Sequence, residues 1–173
     1  MTRFLDKNSI RKWAKEFRKT LDMRTISNKL IDKLKNTEEY KKAKNIMIFY
    51  PLKNEVDLRN LLNDRDKNFY LPRIKDKELL CCPYNKEDSL QESCFKTLEP
   101  TTKPCAKEIL DLVIIPAISC DTNNCRLGYG GGFYDRFLEN ITATKIVCIP
   151  KELVIETIYP ESHDVKIDLI ITE

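Results

Sequence analysis

Apolar positions recur along this chain with two different spacings. Over residues 9–21 they fall at Ile10, Trp13, Phe17 and Leu21, three and four apart, which lays one apolar stripe along a helix. Asn8 or Ser9 is placed to cap it. A second helical pattern follows, with Ile26, Leu30, Ile31 and Leu34 as its buried face. Beyond it the apolar residues gather into short runs. Residues 45–50 read NIMIFY and stop at Pro51, which predicts a buried strand. Residues 57–63 restart a helix, with Asp57 near its start. Residues 68–71 predict a strand ending at Pro72, and 79–82 a further one. Residues 85–108 are polar and irregular and predict no element. Residues 111–115, DLVII closed by Pro116, are the clearest core strand. A long loop over 117–132 then leads to a helix over 132–140 with Phe133 and Phe137 on one face. Strands at 145–149, ended by Pro150, and at 167–171 complete the chain.

Helical periods alternating with short apolar runs predict an α/β architecture. The expected form is a single domain over 1–173, built on an open, mostly parallel twisted sheet flanked by helices in Rossmann-like layering. The length, 173 residues, suffices to bury a core without covalent staples.

Composition narrows the picture less than its distribution does. The formal net charge is only +3, and selects no partner. Residues 1–44 nevertheless hold 14 Lys and Arg against 6 Asp and Glu. Such a segment either attracts phosphate and carboxylate groups or forms ordinary solvated helix faces. The seven cysteines form no CxxC pair, and His163 is the only histidine, so no zinc spacing exists. Free thiols in a reducing compartment fit best. No apolar run approaches a membrane span. Asp6, Glu16 and Asp22 interrupt the N-terminal segment, unlike a transit peptide. The expectation is a cytoplasmic protein with no membrane partner.

The glycines change the picture most. The chain has four, Gly128, Gly130, Gly131 and Gly132, all within five residues. They stand where the long loop passes into a helix, and open α/β sheets place ligands beyond their carboxyl strand ends. Glycine lets a ligand approach the backbone closely, and successive N–H groups there can converge on one anion. Arg126 supplies a mobile planar donor fork just upstream. The segment is neither a P-loop nor a GxGxxG fingerprint. A tight turn into a helix is the bland alternative; the neighbours Arg126, Tyr134 and Asp135 weigh against it.

Residues 126–136, RLGYGGGFYDR, resemble the characteristic motif of the 5-formyltetrahydrofolate cyclo-ligase, or methenyltetrahydrofolate synthetase, family. Other stretches are similar in the same order. Lys7-Asn-Ser-Ile-Arg11 resembles the family's N-terminal nucleotide contact, and YPLKNE over 50–55 its folate-contacting segment. LPR over 71–73, LEP over 98–100 and HDVKID over 163–168 resemble further family segments. The chain departs from many relatives at Gly131, where they carry Lys, at Ala117 and Cys120, and at Lys151 in place of Gln.

The resemblance implies an enzyme of one-carbon metabolism. It would be a ligase that converts 5-formyltetrahydrofolate to 5,10-methenyltetrahydrofolate while ATP becomes ADP and phosphate. An amide-like formyl oxygen leaves badly; phosphorylation makes it a good leaving group, so the protein must align two substrates and neutralise phosphates. By resemblance, Lys7, Arg11, Arg126, Leu127, Gly128, Tyr129, Gly130, Gly131, Gly132, Phe133 and Tyr134 bind ATP. Tyr50, Glu55 and Tyr134 bind the folate, Arg126 and Tyr134 act in catalysis, and Asp135 with Asp168 holds Mg²⁺. Without the resemblance each has an ordinary reading: Lys7 and Arg11 as solvated helix-end charges, Glu55 as a loop acid, Tyr50 and Tyr134 as core aromatics, Asp135 as a helix-start charge, and Asp168 as a strand-edge acid. His163, with no nucleophile partner, reads as structural. The expected protein is a monomer. The alternatives are a non-catalytic nucleotide- or anion-binding module and a basic nucleic-acid binder. Phe4, Trp13 and Phe17 mostly follow the apolar stripe and do not interleave with charge for base stacking, which speaks against nucleic acid.

Overall fold

The computed structural model describes residues 4–173. Among the described residues there are four α-helices, α1 (Lys7–Arg18), α2 (Met23–Asn36), α3 (Glu38–Lys42) and α4 (Phe133–Leu138). The strands are β1 (Asn45–Met47), β2 (Asn68–Lys75), β3 (Glu78–Pro83), β4 (Leu90–Glu92), β5 (Leu98–Pro100), β6 (Leu112–Ile114), β7 (Ser119–Asp121), β8 (Arg126–Leu127), β9 (Thr144–Cys148), β10 (Val154–Ile155) and β11 (Leu169–Ile171).

The central sheet has six strands in the order β11-β9-β6-β1-β2-β3. All neighbours are parallel except β2 and β3 at one edge, so the expected mostly parallel sheet is present. Its strands are apolar on both sides because both faces are covered. The run from Ile46 shows this directly. Ile46 and Ile48 pack with α2 residues Leu30 and Leu34, whereas Met47 packs with Ala14 of α1 and Phe137 of α4. Leu112 and Ile114 against Val113 and Ile115, and Ile146 against Val147, divide the same way. The alternation of one residue per face is the pleat itself. Each fully buried Leu or Ile stabilises by about 1.5–3 kcal/mol.

Several boundaries differ from the sequence expectation, each for a local reason. Helix α1 starts earlier, because Asp6 is its cap: the Asp6 carboxylate accepts from the Ser9 N–H at 2.8 Å, and the Ser9 hydroxyl accepts from the Asp6 N–H at 3.2 Å. That reciprocal pair is a capping box with Ser in the third position. Strand β2 runs through Pro72. Tyr70 turns its carbonyl to β1, where the Ile48 N–H donates to it. Pro72 faces the same side two residues on, past the end of β1, so its missing N–H deprives no neighbour. The stretch expected to be irregular contains the β4–β5 hairpin. The stretch expected to be one long loop contains β7 and β8, which form a small sheet with β10. These strands are two or three residues long, too short for a period-2 pattern to register. The helix expected over 57–63 is a 3₁₀ turn at Arg59–Asn63.

Strand order reverses at β1, which has β2 on one side and β6 on the other. The crevice beyond the carboxyl ends of β1 and β6 is therefore the topological switch point, where open α/β sheets bind ligands. Phe49 and Tyr50 follow β1 into it, and Pro116 follows β6.

Candidate active site

A cavity of about 880 Å³ opens at this crevice. Its size is near the upper end for small-molecule sites. Two unlike walls line it. One is charged and glycine-rich, from the start of α1 and residues 126–135; the other is largely apolar, from Phe49, Leu52, Pro72, Ile74, Leu79, Phe95 and Leu98.

The charged wall begins with α1. Lys7 and Arg11 are four residues apart and share one helix face. Arg11 reaches across to the glycine loop: its Nε donates to the Gly128 carbonyl at 2.9 Å, and Nη1 to Asn8 Oδ1 at 2.8 Å. Lys7 points at the segment after residue 160, where its Nζ donates to Asp164 Oδ2 at 2.7 Å and to Glu161 Oε1 at 2.9 Å.

The loop follows β8. Gly130 has φ +107° and Gly132 φ +68°, values that side-chain-bearing residues avoid. Gly132 caps α4. That helix has only six residues, so its dipole contributes less than the sequence suggested, and the flanking guanidiniums carry more of the positive charge. Gly128 is required for space: a Cβ there would lie 2.7 Å from Arg126 Nη1.

Arg126 is buried and hydrogen-bonded, where a mobile charge was expected. It lies in β8, is 7% exposed, and donates from Nη1 to the Pro116 carbonyl at 2.8 Å. Its guanidinium stands 5.6 Å from the Tyr134 ring centre, and Nη2 lies 3.9 Å from Asp135 Oδ2. Burial pushes the Tyr134 phenol far above its ordinary range; Arg126 opposes this and Glu55 adds to it. Tyr134 therefore stays a neutral hydrogen-bonding group at physiological pH.

Glu55 is buried, and its two oxygens are held differently. Oε2 accepts from the Leu52 N–H at 2.7 Å, and Oε1 accepts from the Tyr129 hydroxyl at 2.5 Å. Tyr50 is partly buried, its ring 5.0 Å from the Arg59 guanidinium and its hydroxyl accepting from Arg59 Nη1 at 3.0 Å.

The structure thus brings Lys7, Arg11, Tyr50, Glu55, residues 126–134 and Asp135 to one cavity. It does not bring Asp168 there. Asp168 is half-exposed, and its Oδ2 accepts from the Lys145 N–H at 2.8 Å, with Lys145 Nζ at 3.7 Å. It precedes β11 beside the start of β9. These strands are parallel to β6, so their starts lie at the sheet edge opposite the cavity. The expected pairing of Asp135 with Asp168 is corrected accordingly.

Asp164, from the same HDVKID stretch, does line the cavity. Asp135 Oδ1 accepts from the N–H of the next residue, Val165, at 3.1 Å, which docks this segment beside the glycine loop. Burial pushes the Asp164 carboxyl up, but hydrogen bonds from Lys7 and the Glu161 N–H outweigh it and hold it below its usual range. Among the described residues no three His, Cys, Asp or Glu side chains are grouped as a metal cage. Asp135 and Asp164 both line the cavity; two carboxylates, completed by waters and phosphate oxygens, would be a donor set of the kind Mg²⁺ takes. His163 is exposed near Glu161 and Asp164. The cysteines are free, and none of them lines the cavity.

Part of the apolar wall, Ile74, Leu79 and Phe95, was not expected from the sequence, whereas Leu52, Pro72 and Leu98 fall in the YPLKNE, LPR and LEP segments. Phe95, 55% exposed, sits in the turn between β4 and β5, its ring 5.8 Å from that of Phe133. A single aromatic in a polar stretch was the only sign of it. Arg18, buried behind Tyr129, was also missed; its position at the end of a basic helix made it look like solvated charge.

Comparison with known proteins gives a consistent answer. The profile described as the 5-formyltetrahydrofolate cyclo-ligase family matches residues 5–173. A 5-formyltetrahydrofolate cyclo-ligase of Haemophilus influenzae is 31% identical over 114 residues, spanning 61% of this chain and 61% of that protein. One of Mycoplasma pneumoniae is 27% identical over 174 residues, spanning 98% of this chain and 99% of that protein. The solution structure of Aquifex aeolicus 5,10-methenyltetrahydrofolate synthetase, 28% identical, superposes with a TM-score of 0.85 over 96% of this chain and 89% of that one. The chain belongs to the 5-formyltetrahydrofolate cyclo-ligase family.

Proposed function

We propose that this family member closes the ring of 5-formyltetrahydrofolate to 5,10-methenyltetrahydrofolate, consuming ATP and releasing ADP and phosphate. The observation that carries the reading is the single cavity with two unlike walls. One offers glycine N–H groups and fixed cations suited to phosphates; the other offers apolar surface and one buried carboxylate suited to a flat, N–H-bearing heterocycle.

The reaction balances as follows. The formyl oxygen attacks the γ-phosphorus, forming an O–P bond as the bond to ADP breaks. N10 then attacks the formyl carbon. The C–O bond breaks with its electron pair leaving on phosphate, and the N10 proton passes to solvent. The residues supply alignment and charge, the main catalytic terms for phosphoryl transfer. Arg11 and the 128–132 backbone receive the phosphates, and Lys7 exchanges a carboxylate partner for a phosphate oxygen. Arg126, hydrogen-bonded to Pro116, neutralises charge developing on the transferred group. Tyr134 donates a hydrogen bond near it. Glu55 accepts from folate N–H groups, and Tyr50 packs on the ring. Asp135 and Asp164 would hold Mg²⁺, which would neutralise the phosphates.

The test is the absorbance of the methenyl product from purified protein, 5-formyltetrahydrofolate, Mg²⁺ and ATP. Product formation that requires ATP is expected. Nucleotide binding with no folate-dependent turnover would favour a non-catalytic nucleotide-binding module instead.

A further inference from the structure

Arg18 closes α1 and is 6% exposed. A guanidinium buried this deeply is costly unless its donors are satisfied. Here Nη2 donates to the Ala117 carbonyl, and Nη1 donates to the Tyr129 hydroxyl at 3.1 Å, while Nε has no partner among the described residues. The phenol passes the chain on, donating to Glu55 Oε1 at 2.5 Å. Proton order is fixed by chemistry, because a guanidinium can only donate and a carboxylate can only accept. The Tyr129 residue as a whole is 42% exposed, but its hydroxyl is enclosed between Arg18 and Glu55, and that desolvation with the charge of Glu55 raises the phenol above its ordinary range.

Tyr129 is also part of the glycine loop, between Gly128 and Gly130. One side chain therefore ties the loop proposed for phosphate to the carboxylate proposed for folate. Loop residues flanking it are held by Arg11 on the Gly128 carbonyl at 2.9 Å and by Arg136 on the Gly131 carbonyl at 3.0 Å. Ordering the loop on a nucleotide fixes the Tyr129 hydroxyl and hence Glu55. Ordering Glu55 on a folate fixes Tyr129 and hence the loop.

We propose that Arg18 is a positioning residue that holds Glu55 through the Tyr129 hydroxyl, so that the nucleotide and folate halves of the site bind cooperatively. This rests on the function proposed above. Cooperativity between two sites is reciprocal, so each ligand tightens the other by the same factor.

The experiment is titration calorimetry with a non-hydrolysable ATP analogue plus Mg²⁺, and with 5-formyltetrahydrofolate, each alone and each in the presence of the other. For the unaltered protein the expected mutual tightening is about fivefold or more. Tyr129→Phe keeps the ring and removes the hydroxyl; whatever it does to the affinity of either ligand alone, the mutual tightening should fall to near unity. Arg18→Lys keeps a buried cation without the guanidinium fork and should reduce the coupling to an intermediate value; thermal melts would confirm that both variants are folded. Coupling retained in folded Tyr129→Phe overturns the proposal, as does binding of both ligands by the unaltered protein with no mutual effect. Failure of the unaltered protein to bind either ligand would instead remove the proposed function, and this inference with it.

Discussion

The charged wall of the cavity comes from one uninterrupted stretch, 126–135, joined by the first turn of α1. The apolar wall is assembled from several separate segments: the ends of β1 and β2, the start of β3, and the β4–β5 hairpin. The difference teaches where conformational demand is concentrated. The charged wall depends on backbone angles that only glycine adopts readily, so one substitution can remove it. The apolar surface of the other wall depends on summed area, so truncating one of its apolar side chains should cost less.

The sharpest way to break that contrast is Gly130→Val. Its φ of +107° lies where a β-branched residue is strained. Space is not the issue, since a Cβ would meet the Arg11 guanidinium at an ordinary 3.7 Å. The loop must relax to another conformation and misplace its N–H groups. Strain of up to about 3 kcal/mol corresponds to a loss of nucleotide affinity on the order of 100-fold. The sheet core is untouched, so circular dichroism should be unchanged, with Tm lower by several degrees at about 2–4 °C per kcal/mol. A folded variant that binds ATP as the original does would end the phosphate-loop assignment.

Legibility in the sequence followed the same division. The glycine loop was readable because its residues are contiguous and unusual, and the core strands because NIMIFY and DLVII carry their apolar residues together. Part of the apolar wall was not, because Ile74, Leu79 and Phe95 meet only after β2, β3 and the short β4–β5 hairpin have paired. Arg126 lines the cavity, as expected of a residue of the loop, but is buried in place of being a mobile charge. Nothing local announces that β8 pairs with β7 and buries it.

Glu55→Gln sharpens the comparison from the other wall. The amide keeps the size and one acceptor but loses the charge. A hydrogen bond to a charged group is worth about 1.5–3 kcal/mol, so folate KM should rise roughly 10- to 100-fold. Affinity for ATP alone should stay within about twofold, since the carboxylate touches the loop only through Tyr129, and an amide oxygen can still accept there. Steady-state kinetics varying each substrate separately would check this. An unchanged folate KM would remove Glu55 from the site.

The smallest effect is expected from a pair of identical substitutions at opposite sheet edges. Asp135→Asn and Asp168→Asn each exchange one carboxylate oxygen for an amide nitrogen. Asp135 lies on the cavity, docked to the Val165 N–H and near Arg126, so its replacement should raise the Mg²⁺ concentration at half-maximal activity on the order of tenfold, about 1.4 kcal/mol. Asp168 is engaged with Lys145 across the start of β9. An asparagine oxygen can still accept from the Lys145 N–H, and the half-exposed ion pair contributes at most about 1 kcal/mol. Its replacement should leave the Mg²⁺ midpoint within about twofold and lower Tm by no more than a few degrees. Titrating activity against Mg²⁺ for both variants decides between the two edges. If Asp168→Asn shifts the midpoint as far as Asp135→Asn does, the metal is not held at the cavity, and Asp164 loses its place as the second carboxylate. If only Asp135→Asn shifts it, Asp168 is excluded as a ligand, and Asp164→Asn, at a residue that lines the same cavity, should shift the midpoint as Asp135→Asn does.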